Sequence, residues 1–482
     1  MDRIDQQQTQ TNFVRVMPIW RQFSPKSVAY VRWLWIIVAT LMIGGVTFPM
    51  LSTVADEAIY LPFMAGEQTI FYVSRLGNNS DGRSWASAWN ELDQIDWRMI
   101  RPGARILLDG GEVEMRYAST LAVNVSGSAT RPIRIELSTE EGRDGGVVID
   151  GGRGATLPYC GQPTYAGDDD AAQAHGFLFD GASWVVVDGK KWRGISIRRH
   201  RRSGLYLERN TSNITMRNLE IFDNGAALKR SDGWFPSRPG VRLGGFGHTL
   251  DRLIVYDNGE DAIQSLWEDN NLADITISRS WLHNMRRHPT VNKSSNYCTH
   301  ADGIQIYDGG LISGITVDES VIGPGLTNGI IFGQTVVNGN TWADVQDVTL
   351  RNTIFTKATD NAIYAYQDTA SRNWVLENLT LDCTTTKYNC INIDTPQHNI
   401  RDTIVYGSQI LLENGLDNFS NNCQWQADGF TLGDNVDPQF AAINGVDPLA
   451  LGDYVMPVDS PCADKGASIT SVQDLLGEEV GW

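Results

Sequence analysis

One short pattern recurs down most of this chain: apolar-x-apolar, a polar residue, apolar-x-apolar, a loop of variable length, and a final strand led by Gly, Ala or Cys. It is clearest in Ser212–Ile221, Asp347–Phe355 and Arg372–Leu381, and its central polar residue is Asn218, Arg252, Arg279, Glu319, Asn352, Asn378 and Asp402 in turn. A unit of this size cannot bury its apolar positions alone. The units must stack, which sets residues distant in sequence one above another. The final strands begin at Gly204, Gly240, Ala262, Gly303, Gly329, Ala362 and Cys390 and alternate with a period of two. Leu205, Val241, Ile263, Ile304, Ile330, Ile363 and Ile391 are expected to point inward as one ladder. Leu207, Leu243, Ser265, Ile306, Phe332, Ala365 and Ile393 form a second. Coil spacings of about 25 to 40 residues exclude a strict short repeat and suit a parallel β-helix with unequal loops. The expected fold is therefore all-β: a single right-handed parallel β-helix, or solenoid.

The repeat crosses any midpoint boundary, so the 482 residues read as one elongated body. Hydrophobic residues make up 41%, with 47 Gly and 17 Pro, which fits many short strands and turns and excludes a disordered body. The formal charge is −18; residues 1–55 hold five basic and two acidic side chains, leaving −21 for the rest. Such a body repels nucleic acid, and the one basic run, Arg198–Arg202, reads as a solvated turn. Trp33 to Ala55 carries no charge and is long enough to span a bilayer, with basic residues before it. It reads either as a cleaved signal peptide, with Thr53-Val54-Ala55 as the cleavage site, or as a retained signal anchor. Residues from about 56 onward are then extracytoplasmic, secreted or anchored, and any membrane contact is confined to residues 33–55. Six cysteines agree with an oxidising compartment. Fifteen pairings are possible; Cys383 with Cys390, which flank one short loop, and Cys423 with Cys462, which share the C-terminal region, are the expected pairs, which leaves Cys160 with Cys298.

Within this frame residues 1–32 form a cytoplasmic lead, 33–55 the apolar segment, 56–110 an N-terminal cap, 111–436 the coils and 437–482 a C-terminal cap. Strands are expected at Phe71–Ser74, Ile106–Leu108, Leu121–Val125, Pro132–Leu137, Val147–Ile149, Phe177–Phe179 and Trp184–Val187. Trp85–Leu92 reads as a short amphipathic helix covering the open end of the stack, since unpaired strand edges invite association.

The opening FYVSRLGNNSDGRSWASAWNELDQID with PGARILLDGG, and the closing DPQF with DYVMPVDSPCADKGAS, resemble the two ends of secreted bacterial right-handed parallel β-helix proteins of the pectate-lyase-like superfamily. The resemblance covers roughly residues 70 to 470. It implies a carbohydrate-directed extracytoplasmic protein, in a superfamily that holds polysaccharide lyases, hydrolases and epimerases.

Long insertions at Arg153–Ala174, Ala226–Pro239 and Arg286–Thr299 interrupt the coils, and the latter two directly precede a Gly-led strand. They are expected to stand beside its outward face as a wall. On that face lie Tyr206, Arg242, Gln264, Gln305, Tyr364 and Asn392, with Glu208, Tyr307, Tyr366 and Asp394 two residues further on and Trp234, Phe235 and Trp267 nearby. Aromatic rings cover the C–H faces of sugars, while amides and guanidinium bond hydroxyls or carboxylates. Outward positions of any β-helix are also polar or aromatic, so the same pattern serves packing.

Glu260-Asp261-Ala262-Ile263-Gln264 is matched one coil later by His300-Ala301-Asp302-Gly303-Ile304-Gln305. Neighbouring strands put the carboxyl groups of Asp261 and Asp302 roughly 5 Å apart. That separation suits a general acid/base pair or a hard cation such as Ca2+, with His300 as a further proton carrier. Turn chemistry is the competing reading, because Ser203, Asn328, Asn361 and Asn389 hold the same position in other coils. His300–Gly303 is similar to the N-T-D-G motif of polygalacturonases; Glu260-Asp261 precedes it where that family's D-D follows, Gly247-His248 lies upstream, and no R-I-K occurs. The resemblance to pectate lyases would give Arg242 the part of the base or of the substrate-carboxylate contact. His283 and His288 read as a loop feature rather than a metal site. The expectation is a polysaccharide lyase or glycoside hydrolase, monomeric, with Asp261, His300 and Asp302 catalytic and no assigned metal ligand. The substrate contacts are Tyr206, Arg242, Gln264, Trp267, Gln305, Tyr307, Tyr364 and Asn392. The alternative is a non-catalytic glycan-binding or structural surface protein.

Overall fold

The computed structural model describes residues 68–153, 173–225, 238–266, 272–286, 301–308, 311–334, 344–365, 372–393, 398–412, 418–429, 432–440, 454 and 456–467. The chain divides into two units, Met1–Gly66 and Glu67–Trp482. The first, with the apolar segment 33–55, lies outside the described residues, as do the interiors of the three insertions and Cys160 and Cys298. Among the described residues no helix is long and apolar enough to cross a membrane.

The second unit is one continuous parallel sheet wound into coils, the parallel β-helix that the sequence resemblance implies. Its first face is built from the Gly-, Ala- or Cys-led strands, and their register runs Leu205, Val241, Ile263, Ile304, Ile330, Ile363, Ile391 without a slip. All seven side chains are fully buried. Burying each contributes about 1.5–3 kcal/mol, so the ladder is the spine of the core. The second and third faces are the two arms of each longer strand, such as Thr249–Tyr256 or Ser212–Phe222.

Between those arms sits the central polar residue of the repeat. Asn218, Arg252, Arg279, Glu319, Asn352, Asn378 and Asp402 all adopt left-handed backbone, with φ between 45° and 59°. One such residue per coil bends the strand without breaking its pairing to the next coil. Several coils place a hydroxyl directly after the corner. Ser280 Oγ accepts the Leu253 N–H at 3.1 Å, Ser320 Oγ the Ser280 N–H at 3.2 Å and Thr353 Oγ1 the Ser320 N–H at 3.4 Å. Each hydroxyl donates back to a carbonyl two residues earlier at 2.7 Å. These polar side chains are buried because every one of them serves the main chain of its neighbour.

The N-terminal end corrects one expectation. Trp85–Leu92 is not a helix: it runs as turns into an extended stretch, followed by single 3-10 turns at Leu92–Gln94 and Trp97–Met99. Trp89 pairs in parallel with Val73 on the open edge of strand Ile70–Val73, exchanging hydrogen bonds with Tyr72 and Ser74. Its ring stacks on Phe71, centroids 5.4 Å apart. An exposed strand edge presents N–H and C=O groups that a helix laid across it would leave unpaired, whereas an extended segment satisfies them. At the other end Cys423–Cys462 joins the closing segment to a late coil, and Cys383–Cys390 staples a short loop. Both pairings agree with the sequence expectation.

Glu319 is the corner residue least suited to left-handed backbone, at φ 45° and solvent exposed. Glu319→Asn is expected to raise stability by up to about 1 kcal/mol and Glu319→Val to lower it by a similar amount. Urea unfolding midpoints of the two variants check this; equal midpoints would show that the corner carries no conformational demand.

Candidate functional site

The outward column of the first face assembles as expected. Tyr206 is in register with Arg242, Arg242 with Gln264, and Gln264 with Gln305. Ile331 follows, then Tyr364 and Asn392. Tyr307 lies on strand Ile304–Asp308 in register with Gly333. Trp267, His300, Trp234, Phe235, Tyr366 and Asp394 lie outside the described residues. The face is not uniformly open: Gln264 and Gln305 are 0% and 1% exposed and Arg242 is 8%, while Tyr206, Tyr364 and Asn392 are half-buried. Burial holds the Arg242 guanidinium below its ordinary value against the opposing pull of Glu260. Burial pushes the Tyr206 phenol up, as it does the Glu208 carboxyl, to which Asp180 adds.

Asp261 and Asp302 stand in one column on adjacent coils, both fully buried. Their carboxylates point along the axis of the helix. Asp261 Oδ1 accepts the Asp302 N–H at 2.7 Å, and Asp302 Oδ1 accepts the Asn328 N–H at 2.9 Å and Asn328 Nδ2 at 2.9 Å. Asn361 Nδ2 donates to Asn328 Oδ1 at 2.8 Å, and Asn361 Oδ1 accepts the Asn389 N–H at 3.2 Å. The remaining carboxylate oxygens hold the glutamines: Gln264 Nε2 donates to Asp261 Oδ2 at 2.6 Å and Gln305 Nε2 to Asp302 Oδ2 at 3.2 Å. A carboxylate only accepts, so the amide orientations follow. Gln264 Nε2 also donates to Gln305 Oε1, and Gln264 Oε1 is left buried without a protein partner.

This arrangement does not fit a Ca2+ centre at the pair, because all four carboxylate oxygens already accept N–H bonds where a hard cation needs six to eight free oxygens. Among the described residues no group of three or more His, Cys, Asp or Glu side chains could hold a metal ion. What the geometry does is fix two amides: each Asp sets the Gln three residues later.

Among the described residues His175, His200, His248 and His283 are buried, and burial lowers the pKa of each. His248 Nδ1 accepts the Ile214 N–H at 3.2 Å and its Nε2 lies 2.9 Å from the Gly244 carbonyl, so the ring is a structural tie. His283 corrects the loop assignment. It ends strand Trp281–His283, with its ring 3.7 Å from that of Trp281 and 5.2 Å from that of Tyr256. His175, passed over in the sequence, lies 4.7 Å from the Tyr206 ring and is 8% exposed. The available signal was positional: it precedes strand Phe177–Phe179 by two residues, as Asp261 precedes Ile263–Ser265. The run Arg198–Arg202 is not a plain solvated turn, since Arg198 and Arg199 both pair with Asp150 and His200 is fully buried.

No protein-family model and no curated protein sequence matches the chain. Among solved structures it is similar to pectate lyase Pel9A, at 16% identity and a TM-score of 0.41 over 81% of this chain and 88% of that one. It is similar to XylC in complex with xylose, at 10% and 0.44 over 83% and 93%. It is also similar to the A-module of the Azotobacter vinelandii mannuronan C-5 epimerase AlgE4, at 11% and 0.38 over 69% and 90%. The fold rests on the strand register described above.

Asp302→Ala removes the buried carboxylate that accepts the Asn328 N–H and the Gln305 amide and is expected to lower stability by about 3 kcal/mol. Asp302→Asn keeps the main-chain bond, as Asn328 and Asn361 do elsewhere in the column, and should lose about 1 kcal/mol. Denaturant unfolding of both variants checks the ranking. Burial lowers His175 and His283 to about 3 and His200 and His248 to about 4. The unfolded chain therefore binds protons first as pH falls. Stability is full above about pH 6.5 and drops towards pH 4, by about 1.4 kcal/mol per pH unit for each such histidine. Unfolding curves at pH 7.5 and pH 5 should differ accordingly; a flat profile over that window would contradict the buried neutral rings.

Proposed function

We propose that this chain is an extracytoplasmic polysaccharide-acting protein that binds an extended glycan along the outward face of its first sheet. The observation that carries the reading is the gap-free register Tyr206–Arg242–Gln264–Gln305. It sets an aromatic ring, a desolvated guanidinium and two pre-oriented amides in line along the axis. A sugar chain laid on such a row meets ring surface with its C–H faces and amide or guanidinium with its hydroxyls. The buried Gln264 Oε1 is an acceptor awaiting a donor of that kind. Two disulfides support an oxidising compartment, and the uncharged segment 33–55 supplies the route out of the cytoplasm. The body acts as a monomer, with residues 56–110 and 437–482 as its end caps.

In the enzymatic form of this reading the protein is a polysaccharide lyase or glycoside hydrolase. Asp302 is the acid or base, Asp261 its partner and His300 a further proton carrier, with Arg242 meeting the substrate. Trp267 and Tyr307 extend the contact surface, and Tyr364 and Asn392 continue it beyond Ile331. The second reading, a non-catalytic glycan-binding module, is favoured by one specific observation: both carboxylates of the pair already serve the coils around them.

Incubating the protein with plant, algal and microbial polysaccharides separates the forms. Unsaturated-uronate absorbance identifies a lyase, new reducing ends without it a hydrolase, and retention without product the binding module. Arg242→Ala is expected to weaken retention at least tenfold, the effect of losing one charge-assisted hydrogen bond. If Asp302→Asn acts on the identified glycan like the wild type, chemistry at that pair is ruled out. No retention of any glycan by the wild type would overturn the whole reading.

A further inference from the structure

The side-chain ladder of the first face is complete from Asp261 to Asn389 and broken before it. Asp261 accepts the main-chain N–H of Asp302, Asp302 that of Asn328 and Asn361 that of Asn389, while Asn328 Oδ1 accepts from the Asn361 side chain. Extending the register of Leu205 with Val241 by two residues places Pro239 above Ser203, and proline has no N–H to donate. The consequence is visible: Ser203 Oγ is buried, at 1% exposure, and has no partner. One coil earlier His175 occupies the same position. Its Nδ1 is likewise buried without a partner. The half-buried Tyr206 ring, three residues on from Ser203, meets that of His175.

Buried polar atoms are almost always hydrogen-bonded, so two orphans at one register position of neighbouring coils, one of them against an aromatic ring, ask for a ligand with hydroxyl groups. The geometry points to a hydroxyl-binding subsite formed by His175 Nδ1, Ser203 Oγ and the Tyr206 ring, at the N-terminal end of the glycan face. His175 Nδ1 accepts from or donates to one sugar hydroxyl, according to the tautomer of the neutral ring. Ser203 Oγ donates to or accepts from a neighbouring hydroxyl, and the Tyr206 ring covers the C–H surface between them. The ligand class is a polyol or pyranose ring with free hydroxyls. This subsite rests on the glycan-binding reading for its biological sense, but its chemistry can be tested without an identified polysaccharide.

The test is a titration of the full chain, labelled with 15N-histidine, with glucose, with xylitol and with tetrahydropyran, the ring that lacks hydroxyls. The His175 Nδ1 resonance, assigned by its loss in His175→Gln, should move with glucose or xylitol and not with tetrahydropyran. Ser203→Ala should weaken the response about tenfold, the worth of one hydrogen bond of about 1.4 kcal/mol. Pro239→Ala gives the ladder back its missing N–H. It should raise the unfolding midpoint while weakening the sugar response, a pairing that a purely structural role does not produce. A resonance that stays still with both polyols, or moves equally with tetrahydropyran, or is indifferent to both Ser203→Ala and Pro239→Ala, overturns the subsite and leaves the orphans to water. If free sugars bind here while no polysaccharide is retained, the extended-glycan reading fails and the subsite stands.

Discussion

Successive coils are joined by main-chain hydrogen bonds between parallel strands spaced about 4.8 Å apart, and every other feature has to respect that repeat. A coil must turn corners and still return in register, so each turn falls on a residue that can adopt left-handed backbone while its neighbours stay paired. That demand explains why the centre of the repeat is polar although the flanking positions are apolar. It also explains why Ser280, Ser320 and Thr353 can be buried directly behind the corner: the bend frees main-chain groups, and the hydroxyls take them up.

The first face applies the same rule with larger side chains and a different result. From Asp261 to Asn389 the column is closed, each member committed to the coil above, and the two Asp residues have enough oxygens left to hold Gln264 and Gln305 as well. A closed ladder is rigid, and rigidity is what an amide that reads a hydroxyl requires. At Pro239 the ladder opens and Ser203 loses its donor. The two places singled out for the proposed glycan face are thus those where main-chain satisfaction has either been oversupplied, at the glutamines, or interrupted, at the serine.

Much of this was legible in the chain itself. The inward ladder from Leu205 to Ile391 and the outward row from Tyr206 to Asn392 follow from period-two alternation once the coils are aligned on their Gly-led strands. The stacking of Asp261 on Asp302 follows from the same alignment, and the two disulfides from proximity. The direction of the carboxylates was not legible, because alternation distinguishes inside from outside and says nothing about pointing along the axis. Trp85–Leu92 misled for a physical reason. Its apolar spacing suits a helix, but the free edge of Ile70–Val73 supplies a tertiary demand for an extended partner that local propensity does not contain. His175 escaped notice because a long insertion separates it from its own coil neighbours, so its column could be read only from the observed register.

The identity of the corner residues shows how local strain and surface charge are solved together. Left-handed backbone suits Asn, Asp and Gly, yet Lys190, Arg193, Arg199, Arg252 and Arg279 also adopt it. Each of these basic side chains reaches a buried carboxylate. Lys190 reaches Glu136 at 2.8 Å, Arg199 Asp150 at 2.7 Å, Arg252 Asp251 at 3.4 Å and Arg279 the same Asp251 at 2.7 Å, while Arg193 pairs with Glu220. Those carboxylates lie on the outer surface of the strands, where burial would make them expensive unless a cation closed over them. The corner places that cation by geometry, since a residue at the bend projects over its own coil or one of the two coils stacked against it. The conformational cost of an Arg or Lys in the left-handed region is therefore offset by the carboxylate it neutralises. Exposed Glu319 has no such anchor among the described residues, and its side chain carries the wrong charge to provide one.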